Sequence, residues 1–224
     1  MIWQIILIIA VSFCILVTLS FIFYKKIFKR VFDIILSFFA IIILSPLFLV
    51  LSCVGAIDLK GNPFFVQERP GKNGKIFKLI KFRSMRNDKN ESGDFLDDSL
   101  RLTKYGLFLR KTSLDELPEL FNIFIGDMSF VGPRPLLVDY MEKYNSFQLK
   151  RHNVKPGLTG LAQINGRNLV EWEKKFELDV FYVDNYSLIL DLIIILKTIF
   201  LVISGKGVSS EKSLTMERFE GNKE

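Results

Sequence analysis

Two long apolar runs occupy the first quarter of the chain. Residues 2–24 (IWQIILIIAVSFCILVTLSFIFY) carry no charge over 23 positions. That is enough to cross a hydrocarbon layer of about 30 Å as one helix. Lys25, Lys26, Lys29 and Arg30 follow directly. The bias of basic residues toward the cytoplasm places the carboxyl end of this first helix inside. Residues 34–57 (IILSFFAIIILSPLFLVLSCVGAI) form a second uncharged run of 24, about 36 Å long as a straight helix. Ser45-Pro46 sits at its middle, where proline removes a backbone donor. Both flanks are basic. The four cations just named precede the run. After it, residues 60–86 hold Lys60, Arg69, Lys72, Lys75, Lys78, Lys81, Arg83 and Arg86 against one acid, Glu68. A helix-break-helix that enters and leaves by the same face satisfies both flanks, because each half, at about 17 Å, is too short to span. A proline-kinked spanning helix is the alternative.

After residue 57 the pattern changes to that of a compact domain. Residues 64–69 (FFVQER) and 76–83 (IFKLIKFR) alternate apolar and polar positions around the turn-rich PGKNGK, which predicts a β-hairpin. Residues 87–99 (NDKNESGDFLDDS) read as a loop. Residues 113–125 (SLDELPELFNIFI) predict a helix with Leu114, Leu117, Leu120, Phe121 and Phe124 on one face. Glycine and proline make 126–135 and 155–167 irregular, and 169–184 predict a further helix. In 187–204 (SLILDLIIILKTIFLVIS) the polar Ser187, Asp191, Lys197 and Thr198 fall near one face. That fits either a helix lying in a membrane interface or a core helix with a narrow solvent stripe. The tail from 209 is polar.

The expected fold class is therefore an α/β, mostly α, membrane protein. It comprises a spanning helix (1–24), a re-entrant helix broken at Ser45 and Pro46 (25–57) and a cytoplasmic domain (58–224) with a β-hairpin and interfacial amphipathic helices. Composition agrees: of the 224 residues, 50% are hydrophobic and 24% charged, with the apolar residues clustered rather than spread. The two cysteines, Cys14 and Cys53, lie inside the apolar runs and give no support to a disulfide or zinc site. The net charge of +6 points to anionic lipid or phosphorylated partners. No nucleic-acid-reading motif, phosphate loop or dinucleotide fingerprint is present in the sequence.

Chemistry concentrates at Asp115-Glu116. Ser113-x-x-Glu116 matches a capping box, with Ser113 capping the predicted helix and Glu116 reaching back. The same position also suits catalysis. A helix amino terminus favours phosphate, a carboxylate there can attack phosphorus, and a neighbouring carboxylate can hold Mg²⁺. Arg110 and Arg134 can clamp phosphate oxygens. The two readings are compatible.

These residues lie within longer motifs. KRVFDIILSFFAIIILSP (29–46), ERPGKNGKIFKLIKFRSM (68–85), RKTSLDELPELFNIFIGDMSFVGPRPLL (110–137), RHNVKPGLTGLAQINGRN (151–168) and EWEKKFELDVFYVDNYS (171–187) resemble the small monotopic phosphoglycosyl transferases, the PglC-type bacterial sugar transferases. The resemblance covers nearly everything from Lys29 onward. It implies that Ser45 and Pro46 break a re-entrant helix, that Asp115 is the nucleophile and that Glu116 is its Mg²⁺-associated partner. It also implies phosphate contacts from Lys81, Arg110 and Arg134, and a nucleotide-sugar region at Gln163, Asn165, Gly166 and Arg167. The implied reaction moves a sugar-1-phosphate from a UDP-sugar to polyprenyl phosphate with release of UMP, on the cytoplasmic face of a bacterial inner membrane and ahead of downstream glycosyltransferases. The tail pattern GVSSEKSLTMERFEGNKE is similar to members that use UDP-N,N′-diacetylbacillosamine; a related UDP-N-acetylamino sugar is the other expectation. Two rivals stay open: a membrane glycosyltransferase that releases UDP, and a non-catalytic anchored protein that binds anionic lipid.

Overall fold

The second apolar run folds as one continuous helix, α1 (Lys29–Asp58), in a computed structural model that describes residues 23–166, 170–204 and 218–222. Residues 1–22, which hold nearly all of the expected spanning helix, and Arg167 lie outside the described residues. The break expected at Ser45-Pro46 does not interrupt α1, and its physical reason is local. Pro46 has no N–H for the carbonyl of Ile42, four residues back. The Ser45 hydroxyl donates to that same carbonyl at 2.7 Å, so the helix keeps its direction of hydrogen bonding across the proline. Ser37 and Ser52 likewise donate to the carbonyls of Asp33 and Phe48, at 2.6 and 2.7 Å. Each hydroxyl in the apolar run is thereby satisfied within the helix.

Both ends of α1 are tied to the same domain. Near its start, Arg30 donates to the carbonyls of Ile123 and Phe124 at 2.6 and 2.7 Å. Asp33 accepts from the Ser129 hydroxyl at 3.1 Å and the Phe130 N–H at 3.0 Å. Near its end, the Tyr105 hydroxyl donates to Leu51 O at 2.7 Å and Arg86 to Asp58 O at 3.0 Å. Between them Ala40, Ile41, Leu44 and Phe48 pack on Phe77, Leu79, Leu120, Ile123 and Met128. The opposite side of α1 leaves Ile35, Phe39, Ile43, Leu49, Val54 and Ile57 exposed.

The predicted hairpin is present. β1 (Phe64–Pro70) and β2 (Ile76–Phe82) pair antiparallel, with Phe65 opposite Lys81 and Arg69 opposite Phe77. The helix predicted over 113–125 is instead two pieces. α2 (Lys104–Thr112) ends at Ser113, a three-residue 3₁₀ turn covers Leu114–Glu116, and α3 (Glu119–Ile125) follows. Ser113 has left-handed backbone angles (φ 58°) and makes no side-chain cap, so the capping box is not formed. Of the predicted apolar face, Leu117 and Leu120 enter the core while Phe121 and Phe124 reach outward to Phe48 and Phe38 of α1.

The two segments read as irregular meet as a short parallel sheet, β3 (Ser129–Val131) with β4 (Gly157–Thr159). Their backbones approach so closely that a Cβ on Gly157 would lie 2.1 Å from the Gly132 nitrogen, which only glycine allows. α4 (Trp172–Asn185) and α5 (Leu188–Ser204) complete the described domain. The tail, read as polar, carries an anchor: Phe219 is buried among Tyr140, Tyr144, Trp172 and Phe176.

α5 is inverted relative to a soluble core helix. Asp191 and Thr198 point inward, whereas Lys197 is exposed: Asp191 accepts from Tyr24 and Tyr182 at 2.5 and 2.7 Å and pairs with Lys29 at 2.5 Å. Thr198 bonds Thr159 at 2.6 Å. Its outward face is apolar, with Ile189, Leu196, Phe200 and Ile203 exposed. A solvent stripe is therefore ruled out for Asp191 and Thr198. The apolar outer faces of α1 and α5 form the kind of surface that lipid covers. Removing Asp191 leaves the partly buried Lys29 without its counter-charge. Asp191→Ala is expected to lower unfolding free energy by about 3 kcal/mol, read by denaturant unfolding of the detergent-solubilised full chain, with Asp191→Asn losing less.

Candidate active site

The turn at Leu114–Glu116 exists because two neighbours forbid a continuous helix. Ser113 closes α2 in a left-handed conformation, and Pro118 begins α3 without a donor. Glu116 is freed from capping and faces two cations. Its Oε1 accepts from Lys81 Nζ at 2.9 Å and also from Arg134 Nη2. Lys81 lies near the end of β2, and its Nζ also reaches Glu119 Oε1 at 3.0 Å. One lysine therefore bridges two carboxylates.

Asn122 holds α3 against β2 so that this bridge can form. Its side chain donates to Lys78 O at 2.8 Å and accepts from Ile80 N at 3.0 Å, and it is fully buried. Arg134 is held from behind. Buried Arg151 donates to the Arg134 carbonyl at 2.7 Å and to Asp179 Oδ2 at 2.8 and 3.1 Å. Arg110, in the last turn of α2, donates to the Ser84 hydroxyl at 2.9 Å. Asp115 sits between these groups. Among the described residues its carboxylate has no hydrogen-bond or ion-pair partner, although the charges of Lys81, Arg134 and Arg110 all act on it.

The electrostatics separate the two neighbouring acids. Burial and the Glu116 charge push the Asp115 carboxyl up to about 6, against the pull of Lys81, Arg134 and Arg110. For Glu116 burial also opposes ionisation, but Arg134 and Lys81 outweigh it and hold the carboxyl well below the usual range. Burial raises Glu119 to about 7 against the pull of Lys81. Lys81 and Arg134 are both held protonated by these carboxylates.

The structure thus gathers Lys81, Arg110, Asp115, Glu116 and Arg134 at one place. Of the remaining expected residues, Arg167 lies outside the described residues. Gln163 donates to Leu158 O at 2.9 Å and Asn165 to Leu161 O at 2.7 Å, within their own segment. Sequence reasoning missed Glu119, Asn122 and the Arg151–Asp179 pair. The signal for Glu119 was its place three residues after Glu116, where a helical turn brings side chains to one side.

A profile of known sequences, described as the bacterial sugar transferases, matches residues 24–205. The chain belongs to the bacterial sugar transferase family. Among relatives, the Bacillus subtilis sugar transferase EpsL is 48% identical over 194 residues, covering 87% of this chain and 96% of EpsL. The Klebsiella pneumoniae UDP-glucose:undecaprenyl-phosphate glucose-1-phosphate transferase is 45% identical over 186 residues, 79% of this chain and 40% of that protein. The Salmonella typhimurium undecaprenyl-phosphate galactose phosphotransferase is 40% identical over 196 residues, 80% of this chain and 41% of that protein. This sugar transferase thus spans about two fifths of the latter two relatives and nearly all of EpsL.

Folded Asp115 keeps its proton to higher pH than an unfolded aspartate. Its contribution to stability is therefore full below the unfolded value and is lost as pH rises through about 6. Carbon-13 NMR of aspartate carboxyl carbons in the full chain is expected to show one titration midpoint near 6. Glu116→Gln should move that midpoint down, because the Glu116 charge is one of the causes that raise it.

Proposed function

We propose that this sugar transferase moves a sugar-1-phosphate from a UDP-sugar to polyprenyl (undecaprenyl) phosphate and releases UMP. The observation that carries this reading is the division of labour in the dyad. Glu116 is clamped by Lys81 and Arg134, whereas the Asp115 carboxylate is unengaged among the described residues and surrounded by cations. The relatives' names supply the donor and acceptor classes.

The reaction has two displacements. The Asp115 carboxylate attacks the β-phosphorus of the UDP-sugar, and the bond from that phosphorus to the bridging oxygen breaks. UMP leaves with that oxygen, and the sugar-phosphate stays on Asp115 as an acyl phosphate. A phosphate oxygen of the polyprenyl acceptor then attacks the same phosphorus. The bond to Asp115 breaks, giving polyprenyl diphosphate sugar and the free carboxylate. Lys81, Arg110 and Arg134 neutralise the phosphoryl oxygens during both steps.

Mg²⁺ is the proposed cofactor. Asp115 and the second oxygen of Glu116 offer hard donors of the kind it takes, and the described residues hold no group of three or more potential ligands. That fits an ion held by one or two carboxylates and by substrate phosphates. When bound it supplies further neutralisation of phosphate charge.

The membrane arrangement follows from the acceptor. Lifting a polyprenyl tail into water costs about 0.8 kcal/mol per CH₂, so the site must sit at head-group height. A crossing α1 would place its ends about 45 Å apart on opposite sides of the bilayer. α1 is continuous, yet both its ends are bonded to one domain, which supports a helix that enters and leaves by one face rather than one that crosses. The basic flanks favour the cytoplasmic face of the bacterial inner membrane, where the product passes to downstream glycosyltransferases for glycan or glycoprotein assembly. The sugar we propose is N,N′-diacetylbacillosamine or a related N-acetylamino sugar, on the resemblance of the tail. A hexose is the second reading, favoured by the names of the Klebsiella and Salmonella relatives.

Purified full chain with undecaprenyl phosphate, Mg²⁺ and a panel of UDP-sugars is expected to release UMP, with turnover rising through pH about 6 as Asp115 ionises. Asp115→Asn should reduce release at least about 10³-fold, since the nucleophile is lost. Release of UDP instead, or full turnover by Asp115→Asn, contradicts the mechanism.

A further inference from the structure

Arg69 is a cation of this site that no part of the mechanism yet uses. The hairpin register puts it on the sheet face that carries Lys81, and the charges of Arg134 and Glu119 act on it. Residues directly opposed in an antiparallel pair share a face, and positions two apart on one strand do too. Phe65 opposes Lys81 and Arg69 opposes Phe77, so Gln67, Arg69, Phe77, Leu79 and Lys81 line one face. Phe77 and Leu79 of that face are buried, so the face that carries Lys81 is turned into the domain.

Arg69 is incompletely partnered. Its Nη2 donates to the neutral Gln67 Oε1 at 2.6 Å. Its Nε is buried and has no hydrogen-bond partner, and among the described residues it forms no ion pair. Arg151 shows the contrast, since its Nε and Nη2 both go to the Asp179 carboxylate. Burial and the charge of Arg134 depress Arg69, with Glu119 only partly offsetting them. Two guanidinium groups near each other in a partly dry site, one lacking a counter-ion, are relieved by an anion.

We propose that Arg69 is a further anion-binding residue of the transfer site, donating to a phosphate oxygen of one of its two phosphorylated substrates. This rests on the transfer reading above. The chemistry it takes is a phosphate ester, which both the nucleotide donor and the polyprenyl acceptor present.

The test uses the full chain in lipid nanodiscs as wild type, Arg69→Gln and Arg69→Lys. Two arms report separately: KM for the UDP-sugar that the wild type turns over, and KM for undecaprenyl phosphate. A third measurement needs no turnover, namely the rise in melting temperature on adding UDP or farnesyl phosphate. Arg69→Gln is expected to raise one KM tenfold or more and to abolish the matching thermal protection, with Arg69→Lys recovering part of both. An effect confined to the UDP arm assigns the donor, and one confined to the farnesyl phosphate arm assigns the acceptor. Unchanged KM values and unchanged protection overturn the proposal. So does a lower ligand-free melting temperature with both affinities intact, which marks a structural arginine. If the wild type transfers no sugar while protection still depends on Arg69, the anion site stands and the transfer reading falls.

Discussion

The ion bridge from Lys81 to Glu116 and Glu119 is the constraint on which the rest of the site depends. Burying charge is costly unless it is paired and hydrogen-bonded. Here the strand, the 3₁₀ turn, α3 and the Arg134 loop each contribute a charged group to one cluster. No one of these segments could bury its charge alone, so the cluster sets their relative positions. Glu116 absorbs two cations and stays ionised. Its neighbour Asp115 feels the same cations without bonding to them, and so keeps its lone pairs available.

The long apolar helix α1 is part of this arrangement rather than an appendage. It supplies apolar side chains to the cluster that seats α3 and β2, and those two elements carry Glu119 and Lys81. Asp33 binds the start of β3, the strand that leads to Arg134. Any shift of α1 against the domain is thereby felt at the charged cluster. The inverted α5 is fixed by Asp191 and Thr198 to the interior, which leaves its apolar face free to meet lipid beside the site.

Much of this was legible in the sequence, for identifiable reasons. The hairpin was readable because alternation and turn residues coincide at 64–83. The Asp115-Glu116 dyad and its cations were readable because charged residues cluster inside the recognisable motifs. The Ser45-Pro46 break was not, since the hydroxyl that repairs the helix is visible only once Ile42 O is located. The capping box failed for a similar reason. Ser113-x-x-Glu116 has the right spacing, but long-range pairing with Lys81 and Arg134 outweighs a local bond of about 1 kcal/mol. β3 and β4 were hidden because strands of three residues are too short to carry a periodicity. Arg151 and Asp179 pair across 28 positions, a distance at which no local pattern operates.

Rapid-quench mass spectrometry of the full chain mixed with a UDP-sugar, in the absence of acceptor, tests the central claim most directly. A sugar-phosphate mass increment is expected on the peptide containing Asp115, discharged when polyprenyl phosphate is added. Steady transfer with no such increment at any quench time would contradict it.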